Sequence, residues 1–130
     1  MAKRIKANKT HNNNTLTESE YFSKIRSGLR KTFQYWKPMT VALELASRKY
    51  TGENKRIKKE YQCACCGKWF IRKDVQIDHI IPCGSLRNWD DIVPFIKNLT
   101  QEDPSAYQIL DKMCHLKKTG QERNDKKLKK

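Results

Sequence analysis

The chain has 130 residues, enough for one compact domain with tails. Hydrophobic residues make up 37% and charged residues 32%, so any core is small and an extra staple such as a metal ion would help to hold it. The net charge is +14, and no apolar run approaches the length of a membrane span, which points away from a membrane protein and towards a polyanionic partner. The surplus is uneven: residues 1–60 carry 15 basic and 5 acidic side chains, residues 61–130 carry 13 and 9. DNA or RNA is the expected polyanion. An anionic membrane is disfavoured, because no strongly apolar face accompanies the charge.

The opening, MAKRIKANKTHNNNTL, is basic, but no apolar stretch follows it, so it does not read as a secretory signal. Five Cys is an odd number, and without an export signal they read as metal ligands plus spare thiols rather than as a disulfide set. A cytoplasmic protein is expected.

Residues 1–16 are polar, with Asn12, Asn13 and Asn14 among scattered Lys, and read as a disordered basic arm. Residues 17–60 read as a basic helical segment. Thr17-Glu18-Ser19-Glu20 has the form of a capping box, which predicts a helix from there to about Trp36. Its apolar face would be Phe22, Ile25, Leu29, Phe33 and Trp36, at steps of three or four. Pro38 breaks or restarts the helix, and Met39 to about Tyr50 reads as a second one, closed by Thr51-Gly52. The dense basic run Asn54 to Lys59 follows. Its Lys55, Arg56, Lys58 and Lys59 are candidate phosphate contacts.

From Tyr61 the character changes, and residues 61–120 read as the core. Cys63-Ala64-Cys65-Cys66-Gly67-Lys68 reads as a knuckle turn, with Gly67 supplying the tight backbone. Trp69–Ile71 and Val75–Ile77 read as short strands joined through Arg72-Lys73-Asp74, with Asp78-His79 closing the second. Residues 80–85 form a loop. A helix is expected within Asn88 to Leu99, with Pro94 tolerable only near its first turn. Asp103-Pro104 is a turn. A last helix starts near Met113 or Cys114 and runs into a basic tail, residues 121–130.

Two constellations carry chemistry. Cys63 and Cys66 flank two residues and supply half of a tetrahedral zinc site; Asp111 and Cys114 have the same spacing, and a carboxylate oxygen is a permitted zinc ligand. Cys65 and Cys83 compete for the same role. The second constellation is Asp78, His79 and His115. Asp78 can bind a hard divalent cation and His115 can supply an imidazole, which leaves His79 as a general base at neutral pH. A regular strand sends neighbouring side chains to opposite faces, so Asp78 and His79 are expected where the strand ends and twists.

The order CxxC, then strand-Asp-His-Ile-Ile-Pro, then Cys-His-x-x-Lys resembles the HNH endonucleases, more narrowly the small phage-type ones. The segments that carry the resemblance are Tyr61–Cys66, Val75–Leu86 and Leu110–Thr119. It implies an α+β, treble-clef-like ββα-metal finger with zinc knuckles, preceded here by basic helices. It further implies that Asp78 and His115 hold one catalytic cation, Mg²⁺ or Mn²⁺ with Ni²⁺ or Zn²⁺ as alternatives. His79 would activate a water, and the cleavage would leave 5′-phosphate and 3′-hydroxyl ends. Cys63, Cys66, Asp111 and Cys114 would hold a structural Zn²⁺, and Lys117 and Lys118 would lie near the DNA phosphate. A phage packaging or replication protein is a candidate partner, the host cytoplasm the expected location, and a monomer or weak dimer the expected state.

Two positions depart from the family pattern. Ala106 stands where HNH proteins often carry the middle Asn, with Asn88 as one candidate substitute, and Asp111 stands in place of a zinc Cys. The competing readings are a non-catalytic zinc-dependent module that binds nucleic acid and a small basic scaffold protein.

Overall fold

The computed structural model describes residues 6–128, with side chains described as far as residue 125. It begins with a hairpin. Strand β1 (Lys9–His11) pairs antiparallel with β2 (Leu16–Thr17). Asn12, Asn13 and Asn14 make the turn, all with φ between 53° and 63°, a left-handed region that Asn enters more readily than most residues. The ring of His11 stacks on Tyr21 with centroids 4.3 Å apart. The disordered arm expected over residues 1–16 is therefore corrected from Lys9 onward: the Asn run makes a tight turn instead of a floppy tail. Residues 1–5 of that arm, and the last residues of the basic tail, lie outside the described residues.

Thr17 caps helix α1 (Glu18–Thr32). Its hydroxyl accepts from the Glu20 amide at 3.1 Å, and the Thr17 amide donates to Glu20 Oε1 at 3.0 Å. After this come α2 (Lys37–Leu45), β3 (Ser47–Lys49), β4 (Lys59–Gln62), β5 (Trp69–Phe70) and β6 (Val75–His79). A short 3₁₀ turn at Trp89–Asp91 leads into α3 (Ile92–Leu99), and β7 (Tyr107–Asp111) leads directly into α4 (Lys112–Leu128). The protein is mixed α+β. Among the described residues, no helix is long and apolar enough to cross a membrane.

These elements form two compact units. The first takes the described residues within Met1–Tyr35 and Pro82–Thr100. Its core is Phe22 from α1 with Cys83, Leu86, Phe95 and Leu99, against which Ile25, Leu29 and Phe33 pack. The predicted apolar face of α1 is thus used as far as Phe33. Trp36 leaves it, because the helix ends at Thr32 and the Trp36 indole donates to the Gln101 carbonyl at 3.0 Å within the second unit. Pro94 sits in the first turn of α3, where its missing N–H costs nothing.

The second unit takes the described residues within Trp36–Ile81 and Gln101–Lys130. Here α2 stops at Leu45 rather than continuing to Tyr50. The Ser47 hydroxyl donates to the Glu44 carbonyl at 2.6 Å, and the next residues pair with β4. The strand wins because it gives Arg48 two partners. Its Nε meets the buried Glu60 carboxylate at 2.7 Å, and its guanidinium lies 3.7 Å from the Trp69 ring centroid.

The two strands around Arg72–Asp74 do not pair with each other. β5 joins the sheet β3-β4-β5, while β6 pairs with β7 in full register from Val75↔Asp111 to His79↔Tyr107. The 3₁₀ turn at Arg72–Asp74 carries the chain from one sheet to the other. β7 outcompetes β5 as partner because it brings Tyr107, Ile109 and Leu110, all buried, alongside β6.

Candidate metal centre and adjoining polar site

Cys63 follows β4 and opens the knuckle. The Gly67 amide donates to the Cys63 carbonyl at 2.9 Å, and the Cys63 amide donates to the Lys68 carbonyl at the same distance. Gly67 has φ 73°, a left-handed conformation that glycine adopts without strain. The Ala64 amide donates to the Ile109 carbonyl at 2.8 Å, which pins the turn onto β7. Asp111 ends β7 and Cys114 lies in the first turn of α4, so both arrive beside the knuckle.

Ligand atoms of Cys63, Cys66, Asp111 and Cys114 all lie within 4.8 Å of one another. Thiolates around a tetrahedral zinc sit about 3.8 Å apart, from Zn–S bonds of ~2.3 Å. A slight contraction therefore closes the cluster on an ion, and the three thiols with one carboxylate could hold a metal. Three of the four residues are buried. Cys65 is exposed and Cys83 belongs to the core of the first unit, so neither competing candidate joins the four-donor group.

Hydrogen bonds divide the Asp111 carboxylate. Oδ2 accepts from the Cys66 thiol at 3.1 Å, and Oδ1 accepts from the amides of Met113 and Cys114 at 2.9 and 3.0 Å. The Cys114 amide, then the Cys66 thiol, hold the Asp111 carboxyl well below the usual carboxylate range. The Cys114 thiol is pushed up by the neighbouring Asp111 and then by burial. Burial pushes the Cys63 thiol up too, but backbone groups of Cys66, Asp111 and Cys65 together outweigh it and lower the group.

The second constellation meets between the end of β6 and the start of α4. Asp78 and His79 are the last two residues of β6. Asp78 Oδ1 lies 3.6 Å from His115 Nε2, and Oδ2 accepts from Gln108 Nε2 at 3.0 Å and Lys118 Nζ at 2.8 Å. Two ligands at right angles on a cation of Mg²⁺ size sit roughly 3 Å apart, from bonds of ~2.1 Å. The carboxylate and imidazole are close to that spacing. The His79 ring meets Tyr107 edge-on, with centroids 5.0 Å apart, and the Tyr107 hydroxyl donates to the Gln101 carbonyl at 2.9 Å.

Lys118 turns inward rather than presenting a free ammonium. It bonds Asp78, donates to the His79 carbonyl at 2.9 Å, and pairs with Glu122 at 2.6 Å. Burial lowers the Lys118 ammonium, but Asp78 and Glu122 outweigh that effect and raise it. Lys117 is exposed on α4, as are Lys55 and Arg56 in the loop before β4. Lys58 and Lys59 line a shallow groove with Arg72, Lys73 and Tyr61, and Lys59 also pairs with Glu44.

At Ala106 the backbone fastens the chain. Its carbonyl accepts from the Ile80 amide at 3.0 Å, directly after His79. Asn88 uses its side chain to cap the 3₁₀ turn in the first unit, accepting from the Asp91 amide at 3.1 Å. Sequence reasoning missed Gln108 and Glu122. Glu122 was findable at helical spacing, four residues after Lys118 and seven after His115. Gln108 becomes visible only once β7 is paired with β6 and stands opposite Asp78.

No family model matches this chain, and neither a curated protein nor a solved structure does.

Proposed function

We propose that this chain is a metal-dependent HNH endonuclease that hydrolyses DNA to 5′-phosphate and 3′-hydroxyl ends. In this reading β6, β7 and α4 are the ββα finger, and Cys63, Cys66, Asp111 and Cys114 hold a structural zinc. The observation that carries it is the meeting of Asp78 with His115, 3.6 Å apart, where a strand ends in Asp-His and a helix begins.

Asp78 and His115 are the cation's protein ligands. A bound divalent cation supplies positive charge that stabilises the attacked phosphate and the leaving oxygen. His79 accepts the proton of the attacking water, a task suited to an imidazole nitrogen. Gln108 orients the Asp78 carboxylate from the neighbouring strand. The Ile80–Ala106 backbone bond holds the chain just beyond His79, which supports a site that lacks the family's middle Asn. Lys58, Arg72 and Lys73, exposed around a groove also lined by Ile57, Tyr61 and Ile71, suit DNA phosphates.

The second reading is a nucleic-acid-binding module without catalysis. It is favoured by Lys118, whose ammonium already neutralises Asp78. Supercoiled plasmid incubated with Mg²⁺, Mn²⁺ or EDTA decides between them. The nuclease reading expects nicked or linear product with a cation, none with EDTA, and none from His79→Ala, which still binds DNA. Intact plasmid under every condition, with DNA binding retained, selects the binding module.

A further inference from the structure

The Asp at position 111 has a structural reason. We infer that one carboxylate serves two ends: Oδ2 is a ligand of the metal centre while Oδ1 caps the N-terminus of α4. This rests on the metal-centre part of the reading above and not on DNA cleavage.

Asp111 is 6% exposed and is both the last residue of β7 and the residue before α4. Oδ1 accepts from the amides of Met113 and Cys114, the second and third residues of the helix, which are the amides an N-cap side chain satisfies. Oδ2 points the other way, to the Cys66 thiol at 3.1 Å inside the four-donor cluster. A divalent ion in the cluster would be held by Cys63, Cys66 and Cys114 as thiolates, their protons released to solvent, with Oδ2 as the fourth donor while Oδ1 keeps its two amides. A Cys at this position has a single sulfur for both tasks, and sulfur is the weaker acceptor. The carboxylate separates the tasks onto two oxygens. The result is a donor set of three sulfurs and one oxygen, suited to zinc or cobalt(II), joined by one side chain to the helix that carries His115.

Three variants test this on the full chain, with Co²⁺ as the spectroscopic probe. D111N keeps the amide-accepting oxygen and loses the anionic one, and is expected to bind Co²⁺ at least about tenfold more weakly than wild type. D111C is expected to raise the thiolate-to-cobalt absorption by about one third, the step from three thiolates to four. D111A at saturating Co²⁺ is expected to exchange the Met113 and Cys114 amide protons about fivefold faster, the effect of losing an N-cap. Wild-type affinity in D111N, or an unchanged band in D111C, overturns the ligand half. Unchanged exchange at those two amides in D111A overturns the capping half. Should D111A fail to fold, amide exchange in D111N, which keeps the cap, is expected to match wild type at Met113 and Cys114, and faster exchange there overturns the same half. Wild type that takes up no Co²⁺ removes the metal centre itself, whereas wild-type uptake with an indifferent position 111 removes only this inference.

Discussion

Lys118 holds its ammonium 2.8 Å from Asp78 Oδ2, on the carboxylate whose other oxygen faces His115. A protein cation thus occupies the carboxylate proposed above as the ligand of a divalent one. A hydrogen bond to a charged partner contributes roughly 1.5–3 kcal/mol, so removing the competitor is expected to tighten Mn²⁺ binding by about tenfold. The test is calorimetric titration of Lys118→Met, with the cysteine cluster first loaded with zinc. Glu122 loses its partner in the same variant and adds to the pull on the cation. An unchanged or weaker Mn²⁺ affinity sinks the competition.

The groove lined by Lys58, Lys59, Arg72 and Lys73 sets a second expectation. Lys58→Ala combined with Arg72→Ala should weaken DNA binding about equally for all sequences, since phosphate contacts carry no base information. The slope of log affinity against log salt should become shallower by about 1.8, at ~0.9 per lost contact on duplex DNA. Fluorescence anisotropy across a salt series measures both. A slope that does not move places the phosphates elsewhere.

Cys63 is 1% exposed and packs with Leu110 and Cys114, so its loss combines lost ligation with a core defect. Zinc at a hundred times its Kd adds ~2.7 kcal/mol to a protein that binds it only when folded. Thermal unfolding of wild type should therefore shift up with zinc and down with a chelator, and Cys63→Ala should respond to neither. Elemental analysis of the same samples should show the zinc content falling with stability. A Cys63→Ala protein with full zinc content contradicts the ligand set.

Phe95 is wholly buried in the first unit, among Phe22, Cys83, Leu86 and Leu99. Phe95→Ala should cost about 3–5 kcal/mol and Phe95→Leu clearly less, because the larger side chain leaves a smaller cavity. Urea unfolding supplies the comparison. Equal costs for the two would mean that the site collapses around the gap.

At the start of α1, the backbone amide of Thr17 and then its hydroxyl hold the Glu20 carboxyl below its ordinary value. A group lowered on folding contributes stability that is fully present above its unfolded pKa and is lost as pH falls through the folded one. Protection of the first-turn amides of α1, measured against intrinsic exchange at each pH, should therefore hold at neutral pH and fall only below the ordinary carboxylate range. Glu20→Ala should remove that pH response. A response of the same size in the variant assigns it to another group.

What the sequence disclosed depended on how local each signal was. The capping box at Thr17, the tight turn at Gly67 and the two-residue gaps within Cys63–Cys66 and Asp111–Cys114 are short-range signals, and the structure shows them and brings the two pairs together. The partner of β6 was not legible, because Trp69–Phe70 stands nearby in sequence while Tyr107–Asp111 is distant and reads no more strongly as a strand. The end of α2 was hidden for a similar reason. Ser47 to Lys49 continues a helical pattern until Glu60 and Trp69 arrive from further along the chain to engage Arg48. Asn12 to Asn14 misled in the opposite sense, since the polarity that suggests disorder also suits a left-handed turn.

The excursion between β6 and β7 is tied at both ends. It leaves just after His79 and returns just before Tyr107, and the Ile80–Ala106 backbone bond clamps its neck. Closing a longer or shorter loop changes the entropy only slowly with length. With its neck fixed, the strand pair and Asp78 keep their register at the base of this segment, while Cys83, Leu86, Phe95 and Leu99 within it are committed to the core around Phe22. Tolerance to new side chains is thereby confined to the positions of the segment that lie outside that core.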